Sequence, residues 1–357
     1  MAYTTGGVIT KGHYNLFVTG TEDGTYDATV PNLGIIWGTG FGRYGYGQKI
    51  TQDDGQSVIA PVVSGQVIEA ADWDNLDAII SNVVDHQLGP GNYPQASPVL
   101  PGQLITPISR LAPGIQLAYG GVGKCFAPGE SNYSTQFSGA WGGPGRRKLR
   151  VTQTLTFESA DHARWFFNAG GKLKLTFDFT PNPLNLQSAV WENITQSAGS
   201  VTIGYRDTTR VGGSTYTGAH TILPESQGGF WGNTTGVAKE HFRQLPNPFG
   251  RYYDLDYDGI RGYYGHGRGT YGYYEGTDDF LKVEMLVTDS DGNNGNIGKT
   301  VSVITTLVNG EVSYAPPGDT IQGTLRVGMS VAKPTTDYLP EDNYSAFTFS
   351  GLADPTA

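Results

Sequence analysis

The sequence predicts a mainly β protein, with an N-terminal extended arm that carries one helix over residues 1–145 and a C-terminal β-sandwich-like domain with short helices over residues 146–357. Strand-like segments outnumber helical ones in the C-terminal part. The 357 residues include 52 Gly and 21 Tyr, and only 16% are charged, which favours a β-rich, loop-rich protein over a helical bundle. Aromatic residues reach 12%, which excludes a disordered chain, since disorder goes with few aromatic residues and high charge.

The chain is organised around a strand–helix–strand unit at residues 148–179. Apolar side chains alternate with polar ones in both strands, which is typical of half-buried strands. These apolar residues are Val151, Leu155, Phe157, Leu173, Leu175, Phe177 and Phe179. Between the strands, Ser159 is placed to cap a short helix, Asp161 lies in its first turn, and Gly170 with Gly171 ends it.

Residues 33–48 are the unusual part of the arm, because an aliphatic run gives way to aromatic residues separated by glycines. Such a segment forms no compact core alone, since each glycine adds chain entropy without burial. Aromatic anchors gain most against a pre-formed surface. We therefore expect a docking interface made by Trp37, Phe41, Tyr44, Tyr46 and Trp73. The alternative is that the segment packs onto its own β domain.

Three further features complete the predicted arm. Apolar residues at helical spacing predict a helix from about residue 70 to about residue 87, which is ended by Gly89, Pro90 and Gly91. Residues 1–68 are polar and glycine-rich and are expected to hold short strands. Residues 89–145 contain many prolines and glycines and predict an extended connector with one or two short turns, which either wraps over a partner or is ordered on its own domain.

Periodicity places the remaining elements of the β domain. We expect helices at 184–196 and, with a weaker signal, at 236–245, where prolines follow. The strands are expected at 200–206, at 280–288 with 299–308 as its hairpin partner, at 324–331 and at 344–349.

Three parts of the sequence carry a resemblance to a known group. They are "DHARWFFNAGGKLKLTFDF" at 161–179, "GFGRYGYGQ" at 40–48 followed by "ADWDNLDAIISNVVDHQLG" at 71–89, and "GTLRV" at 323–327. They resemble segments of virion structural proteins of tailed bacteriophages, including the T4-like cyanophages. This resemblance implies a place, the virion, rather than a chemistry.

The resemblance implies a non-enzymatic structural component on the tail, neck, baseplate or fibre apparatus, which acts by protein–protein assembly. Its expected partners are other virion proteins and further copies of itself in a symmetric homo-oligomer, assembled in the host cytoplasm. The alternative is a receptor-binding tail protein, an adhesin that recognises a host surface glycan. A cell-wall or capsule hydrolase is a third hypothesis, for which the sequence offers no convincing residue set.

Charge and residue spacing argue against several other classes. The net charge of −10 disfavours a sequence-independent grip on nucleic acid. No apolar segment approaches membrane-spanning length, so we expect no membrane insertion. The single cysteine, Cys125, permits no intrachain disulfide. The six histidines are scattered without metal-ligand spacing. We therefore expect no enzyme activity, no metal and no cofactor.

Two segments of the β domain are minor candidate sites. Asp254, Asp256 and Asp258 alternate before a glycine as in a calcium loop, but the position expected for a bidentate Glu is a glycine, which favours a solvated acidic turn. A second acidic segment, 289–295, lies between two predicted strands and is interpreted as a hairpin loop.

Tyrosines and glycines fill 252–274. We expect these tyrosines either to contact a glycan or a neighbouring subunit, or to pack on their own domain. The candidate residues are Tyr263, Tyr264, Tyr271, Tyr273 and Tyr274.

Overall fold

The computed structural model describes residues 10–50, 59–93, 108–142, 147–182, 186–213, 219–245, 254–255, 261–262, 279–310 and 320–355. Strand outweighs helix, at 34% against 24%, and the strands form two main antiparallel sheets with short helices around them. The predicted class, mainly β and sandwich-like, is therefore confirmed.

The strands belong to two main sheets and one small hairpin. In chain order they are β1 (Gly129–Trp141), β2 (Lys148–Phe157), β3 (Lys172–Pro181), β4 (Ser200–Ile203), β5 (Thr208–Val211), β6 (His220–Ile222), β7 (Lys239–Gln244), β8 (Asp254–Leu255), β9 (Arg261–Gly262), β10 (Phe280–Thr288), β11 (Thr300–Val308), β12 (Ile321–Lys333) and β13 (Phe347–Asp354). The five-stranded sheet has the order β1-β12-β3-β4-β5 and the six-stranded sheet the order β13-β2-β11-β10-β7-β6, while β8 pairs with β9.

The helices are α1 (Lys11–Val18), α2 (Leu33–Trp37), α3 (Ala70–Leu88), α4 (Ile108–Gly120), α5 (Ala160–Asn168) and α6 (Leu186–Ala198), with a 3₁₀ turn at Phe230–Gly232. Among the described helices, none combines the length and the apolar character needed to cross a membrane. The predicted helices near 70–87 and 184–196 are confirmed as α3 and α6.

Alternation of side chains builds the sandwich. In β2, β3, β10 and β12 a buried residue follows each more exposed one, so one face of each strand faces the core. The two sheets are also joined by a hydrogen bond, because the buried Gln153 of β2 donates from Nε2 to the Val327 carbonyl of β12 at 3.0 Å.

The strand–helix–strand unit is present, and its two strands lie in different sheets. β2 belongs to the six-stranded sheet and β3 to the five-stranded one, so α5 connects the two layers. The Ser159 hydroxyl accepts from the His162 amide at 3.2 Å, which confirms the predicted cap. Gly170, with φ +93°, follows the helix at the predicted stop.

The described residues of the N-terminal part form four helices that share one core, rather than one helix in an extended arm. Tyr14 and Phe17 of α1 pack edge-on against Trp73 of α3, with ring centroids 5.2 and 6.1 Å apart. α2 and α4 contact the same helices. Helix burial therefore replaces the short strands expected in residues 1–68, of which the described residues contain none.

The proline-rich stretch after α3 also differs from the prediction, since its described part contains α4 and β1 instead of an extended connector. Pro113 lies inside α4. Leu111, Ile115 and Ala118 recur at helical spacing and are buried, so packing on α3 compensates for the proline. β1 pairs with β12 from Gly129 to Trp141. A boundary at residue 145 therefore separates β1 from the sheet that it belongs to.

The helix predicted at 236–245 is wrong, because the structure has strand β7 there. β7 pairs with β10 through a bulge and places Phe242 in the core. The prolines that follow at 246 and 248 end a strand as readily as a helix, so the stop signal did not separate the two. The other β predictions are confirmed: β10 and β11 pair antiparallel, and β4, β12 and β13 lie at or near the expected positions.

Candidate functional site

The candidate site is the junction, the region in which residues 38–48 lie across α5. Three α5 side chains donate hydrogen bonds to carbonyl groups of this segment. Trp165 Nε1 donates to the Thr39 carbonyl at 3.3 Å, and Asn168 Nδ2 to the Gly45 carbonyl at 2.9 Å. Arg164 Nη1 donates to the Tyr44 carbonyl. A segment rich in glycine, with little side chain to bury, is thus held through its backbone.

Glycine is required where this segment meets α5. Gly47 has φ +68° and lies on the face of the Trp165 indole. A Cβ atom built on Gly47 would approach the ring to 2.4 Å, far inside van der Waals contact. The alternating glycines of the sequence therefore serve a close intrachain approach.

Arg164 is the charged centre of the junction and is fully buried. Its Nη2 pairs with Asp161 Oδ1 at 2.6 Å, and its Nε donates to Asn296 Oδ1 at 2.7 Å. Burial acts to raise the pKa of Asp161, but hydrogen bonds from Arg164 and Asn296 dominate and hold it below its usual value. Because every polar edge of the guanidinium is occupied by the chain itself, this ion pair is structural.

The C-terminal end of α3 closes the junction from the other side. Gln87 Nε2 donates to the Tyr46 hydroxyl at 2.6 Å and to the Ala118 carbonyl at 2.8 Å. His86 Nε2 donates to the Ala169 carbonyl, just past α5, at 2.8 Å. Burial lowers the pKa of His86 and raises that of Tyr46, so both are neutral at pH 7.

The segments that carry the resemblance meet in this junction. Residues 40–48, 71–89 and 161–179 contact one another through the hydrogen bonds of Arg164, Asn168 and His86. The remaining segment, 323–327, lies in β12 and pairs with β3, which continues from α5. The residues behind the resemblance are therefore used to hold the fold together.

The structure buries three of the five predicted interface residues and leaves the other two at least partly exposed. Trp37, Tyr46 and Trp73 are 4%, 0% and 1% exposed and lie in the chain's own core, so none of them presents a side chain to a partner. Burial occurs because the aliphatic run forms α2 and packs between α1 and α3, so these residues are covered by helices of the same chain rather than by the β domain of the alternative interpretation. Phe41 remains 41% exposed, and Tyr44 is half-buried.

Most of the minor candidates lie outside the described residues: Tyr263, Tyr264, Tyr271, Tyr273, Tyr274, Asp256 and Asp258. Asp254 lies in β8, opposite Gly262 of β9. Within the described ranges, no group of three or more His, Cys, Asp or Glu side chains is arranged to hold a metal ion.

The acidic segment at 289–295 is the loop between the paired strands β10 and β11, as predicted. With the start of α5 it borders a surface hollow of about 520 Å³, lined by Glu158, Ser159, Ala160, Asp289, Ser290, Asp291 and Lys299. Asp289 and Asp291 accept hydrogen bonds from Thr300 and Asn296, so the loop's carboxylates serve to fix the hairpin.

A surface of tyrosines and arginines adjoins the junction, and the sequence analysis missed most of it. Tyr44 and Tyr119 have ring centroids 4.8 Å apart, and their hydroxyl groups are hydrogen-bonded to each other. The Tyr205 hydroxyl donates to the Arg43 carbonyl at 2.9 Å. Arg43 and Arg206 are both exposed. These residues come from three distant parts of the sequence, so no local pattern indicates that they meet.

Comparisons of the chain with protein-family models, with curated proteins and with solved structures found no match. A functional assignment therefore depends on the residues of this chain and their geometry.

Proposed function

We propose that this chain is a non-enzymatic structural component of a tailed-phage virion, located on the tail, neck, baseplate or fibre apparatus and acting by assembly with other virion proteins and with copies of itself. The observation that carries the proposal is the junction. The segments that resemble virion structural proteins meet there and fix one rigid arrangement of α3, α5 and residues 38–48. The residues behind the resemblance thus form one structural unit of this chain, which supports a role for that unit as an assembly module.

Phe41 is the residue of this region that we expect to contact a neighbouring subunit. Its ring is 41% exposed and lies 6.2 Å, centroid to centroid, from the half-buried Tyr26. Because residues 38–48 are anchored on α5, the ring is presented without much loss of conformational entropy on binding. Aromatic side chains held in this way are typical anchors of protein interfaces.

The test is incorporation into particles of the phage that encodes the chain. We expect Phe41→Ala to fold normally and to be depleted from purified virions, as measured by quantitative mass spectrometry of the particles. Phe126→Ala, which removes another exposed phenylalanine (58%), is the matched control and should enter at the wild-type level. Trp37→Ala should instead destabilise the chain by about 3–5 kcal/mol, because it empties a core site.

Two results would contradict the proposal. Absence of the wild-type chain from purified virions would refute the virion role as a whole. Normal incorporation of Phe41→Ala would leave the virion role standing and remove Phe41 from the contact.

The second candidate function is a receptor-binding tail protein that recognises a host glycan. The observation that favours it is the half-buried ring pair of Tyr44 and Tyr119, since sugars bind to proteins by laying their apolar ring faces on aromatic side chains. Labelled protein at the distal tip of the tail apparatus would favour this candidate, and a position along the tail body or neck would favour the assembly role.

A further inference from the structure

The tyrosine–arginine surface has a geometry that assembly alone does not require. Tyr44 comes from residues 38–48, Tyr119 from the end of α4, and Tyr205 from the turn between β4 and β5. The planes of the Tyr44 and Tyr119 rings are inclined by 32°, and both residues are half-buried, so each presents part of its ring to solvent. The exposed parts of the Tyr44 and Tyr119 rings form an aromatic platform, while Tyr205 itself is buried.

The platform residues and the adjoining Tyr205 are held by contacts with other parts of the chain. Arg164, from α5, binds the Tyr44 carbonyl. Gly123, with φ +88°, lies so close to the Tyr205 ring that a Cβ atom there would be 2.6 Å from it. The Trp231 amide donates to the Tyr205 carbonyl at 3.2 Å. A ligand would therefore meet a surface that is already ordered, which lowers the entropic cost of binding.

Two arginines adjoin the platform residues in the chain. Arg43 precedes Tyr44, and Arg206 follows Tyr205, whose hydroxyl donates to the Arg43 carbonyl at 2.9 Å. Burial and the hydrogen bond with Tyr44 raise the pKa of Tyr119 to about 12, and the two arginine charges act in the opposite direction. Neither arginine forms an ion pair with any described residue within 4.0 Å. In a chain of net charge −10, this is a local concentration of available positive charge.

We propose that this surface binds an acidic oligosaccharide, with a sugar ring lying on Tyr44 and Tyr119 and its carboxylate bound by Arg43 and Arg206. A guanidinium presents two parallel N–H donors that match the two oxygens of a carboxylate. The aromatic faces supply apolar contact to the sugar ring, and the tyrosine hydroxyls can exchange hydrogen bonds with its hydroxyl groups. Neither feature alone separates an acidic sugar from other ligands, but their juxtaposition does.

Single-stranded nucleic acid is the competing ligand, because its bases stack on aromatic rings and its phosphates attract arginine. Two arginines neutralise few phosphates, and the acidic chain around them repels an extended polyanion. A short oligosaccharide with separate carboxylates fits this limited charge better. The proposal gives the second candidate function a ligand class, and it can be tested on the purified chain without reference to the virion.

The experiment is isothermal titration calorimetry of the full chain with trigalacturonic acid at neutral pH. We expect a dissociation constant of about 1 mM or below, and binding of the neutral trisaccharide maltotriose at least about tenfold weaker. Arg206→Gln and Tyr119→Ala should each weaken trigalacturonate binding by about tenfold or more. The matched control is Arg150→Gln, which removes an exposed arginine of β2 and should leave binding within about twofold of wild type.

Four outcomes would overturn the proposal. They are no detectable binding of trigalacturonate, equal binding of maltotriose, an equal loss in Arg150→Gln, or tighter binding of an oligodeoxythymidylate than of trigalacturonate. Arg206 is exposed, so its substitution leaves the core intact, and near-ultraviolet circular dichroism should show an unchanged fold. If Tyr119→Ala fails to fold, Tyr119→Phe with Arg206→Gln still decides the question, because the arginine carries the carboxylate contact. Failure here would leave the virion role untouched, since particle incorporation is measured separately.

Discussion

Gly47→Ala tests whether the junction depends on the contact between Gly47 and the Trp165 indole. The new methyl group would have to lie 2.4 Å from the ring, and the backbone there has φ +68°. The left-handed conformation costs an alanine about 1–2 kcal/mol. Forcing a methyl group into an already packed site costs about 1–3 kcal/mol more. The expected loss in the free energy of unfolding is therefore about 2–5 kcal/mol.

Gly42→Ala separates these two contributions. Gly42 lies in the same segment with φ +56°, and a Cβ atom built there would meet nothing within 4 Å. Its substitution should therefore cost only the conformational part, about 1–2 kcal/mol. Urea unfolding of both variants, followed by tryptophan fluorescence and by far-ultraviolet circular dichroism, gives the two free energies.

The difference between the two variants is the informative quantity. If Gly47→Ala and Gly42→Ala destabilise the chain equally, the segment moves away from Trp165 without cost, and close approach does not hold the junction. If Gly47→Ala loses more stability, the glycine spacing of residues 38–48 is explained by packing inside the chain.

Two further predictions concern buried charge and protonation. Arg164→Met should cost about 3–5 kcal/mol in urea unfolding, because it leaves Asp161 partly buried without its cation; stability within about 1 kcal/mol of wild type would show that the ion pair is dispensable. Burial lowers the pKa of His241 from 6.5 to about 4, so the unfolded chain binds a proton between these pH values that the folded chain does not. Protonation of His241 therefore leaves the free energy of unfolding unchanged above pH 6.5 and lowers it as the pH falls towards 4, by at most roughly 3 kcal/mol. His241→Asn should flatten the stability profile in this window, and an unchanged slope would refute the assignment.

Local signals in the sequence predicted the elements whose burial follows their own periodicity. The structure contains the alternation in β2 and β3, the Ser159 cap and the apolar stripe of α3. Each of these features depends mainly on residues that are close in the sequence. Elements set by distant partners were missed. β7 is a strand because β10 pairs with it, and α4 tolerates Pro113 because α3 buries its apolar face. β2 and β3 enter different sheets because β2 pairs with β11 and β3 pairs with β12. No local pattern shows these pairings.

The same distinction explains the candidate sites. The aromatic residues of 33–48 were correctly singled out as needing a surface, but the sequence could not say that α1, α3 and α5 of the same chain supply it. Tyr119 and Arg206 carried no signal, because Tyr119 meets Tyr44, and Tyr205 meets the Arg43 carbonyl, only when α4 and the turn after β4 are both placed against the junction. Apolar patterns in a sequence thus indicate which residues must be buried, whereas a binding surface can be recognised only after the buried residues have been placed.

The junction also bears on how the two proposed roles relate to each other. Arg164 binds the Tyr44 carbonyl, so the residue that fixes residues 38–48 on α5 also fixes one ring of the Tyr44–Tyr119 platform. Phe41 projects from the same anchored segment on the side of Tyr26. An assembly contact at Phe41 and a ligand at Tyr44 would therefore engage different residues of one anchored segment. Because that segment is packed through buried hydrogen bonds, occupation of one part need not disturb the other, and a single chain can hold a place in a particle while it presents a sugar-binding surface.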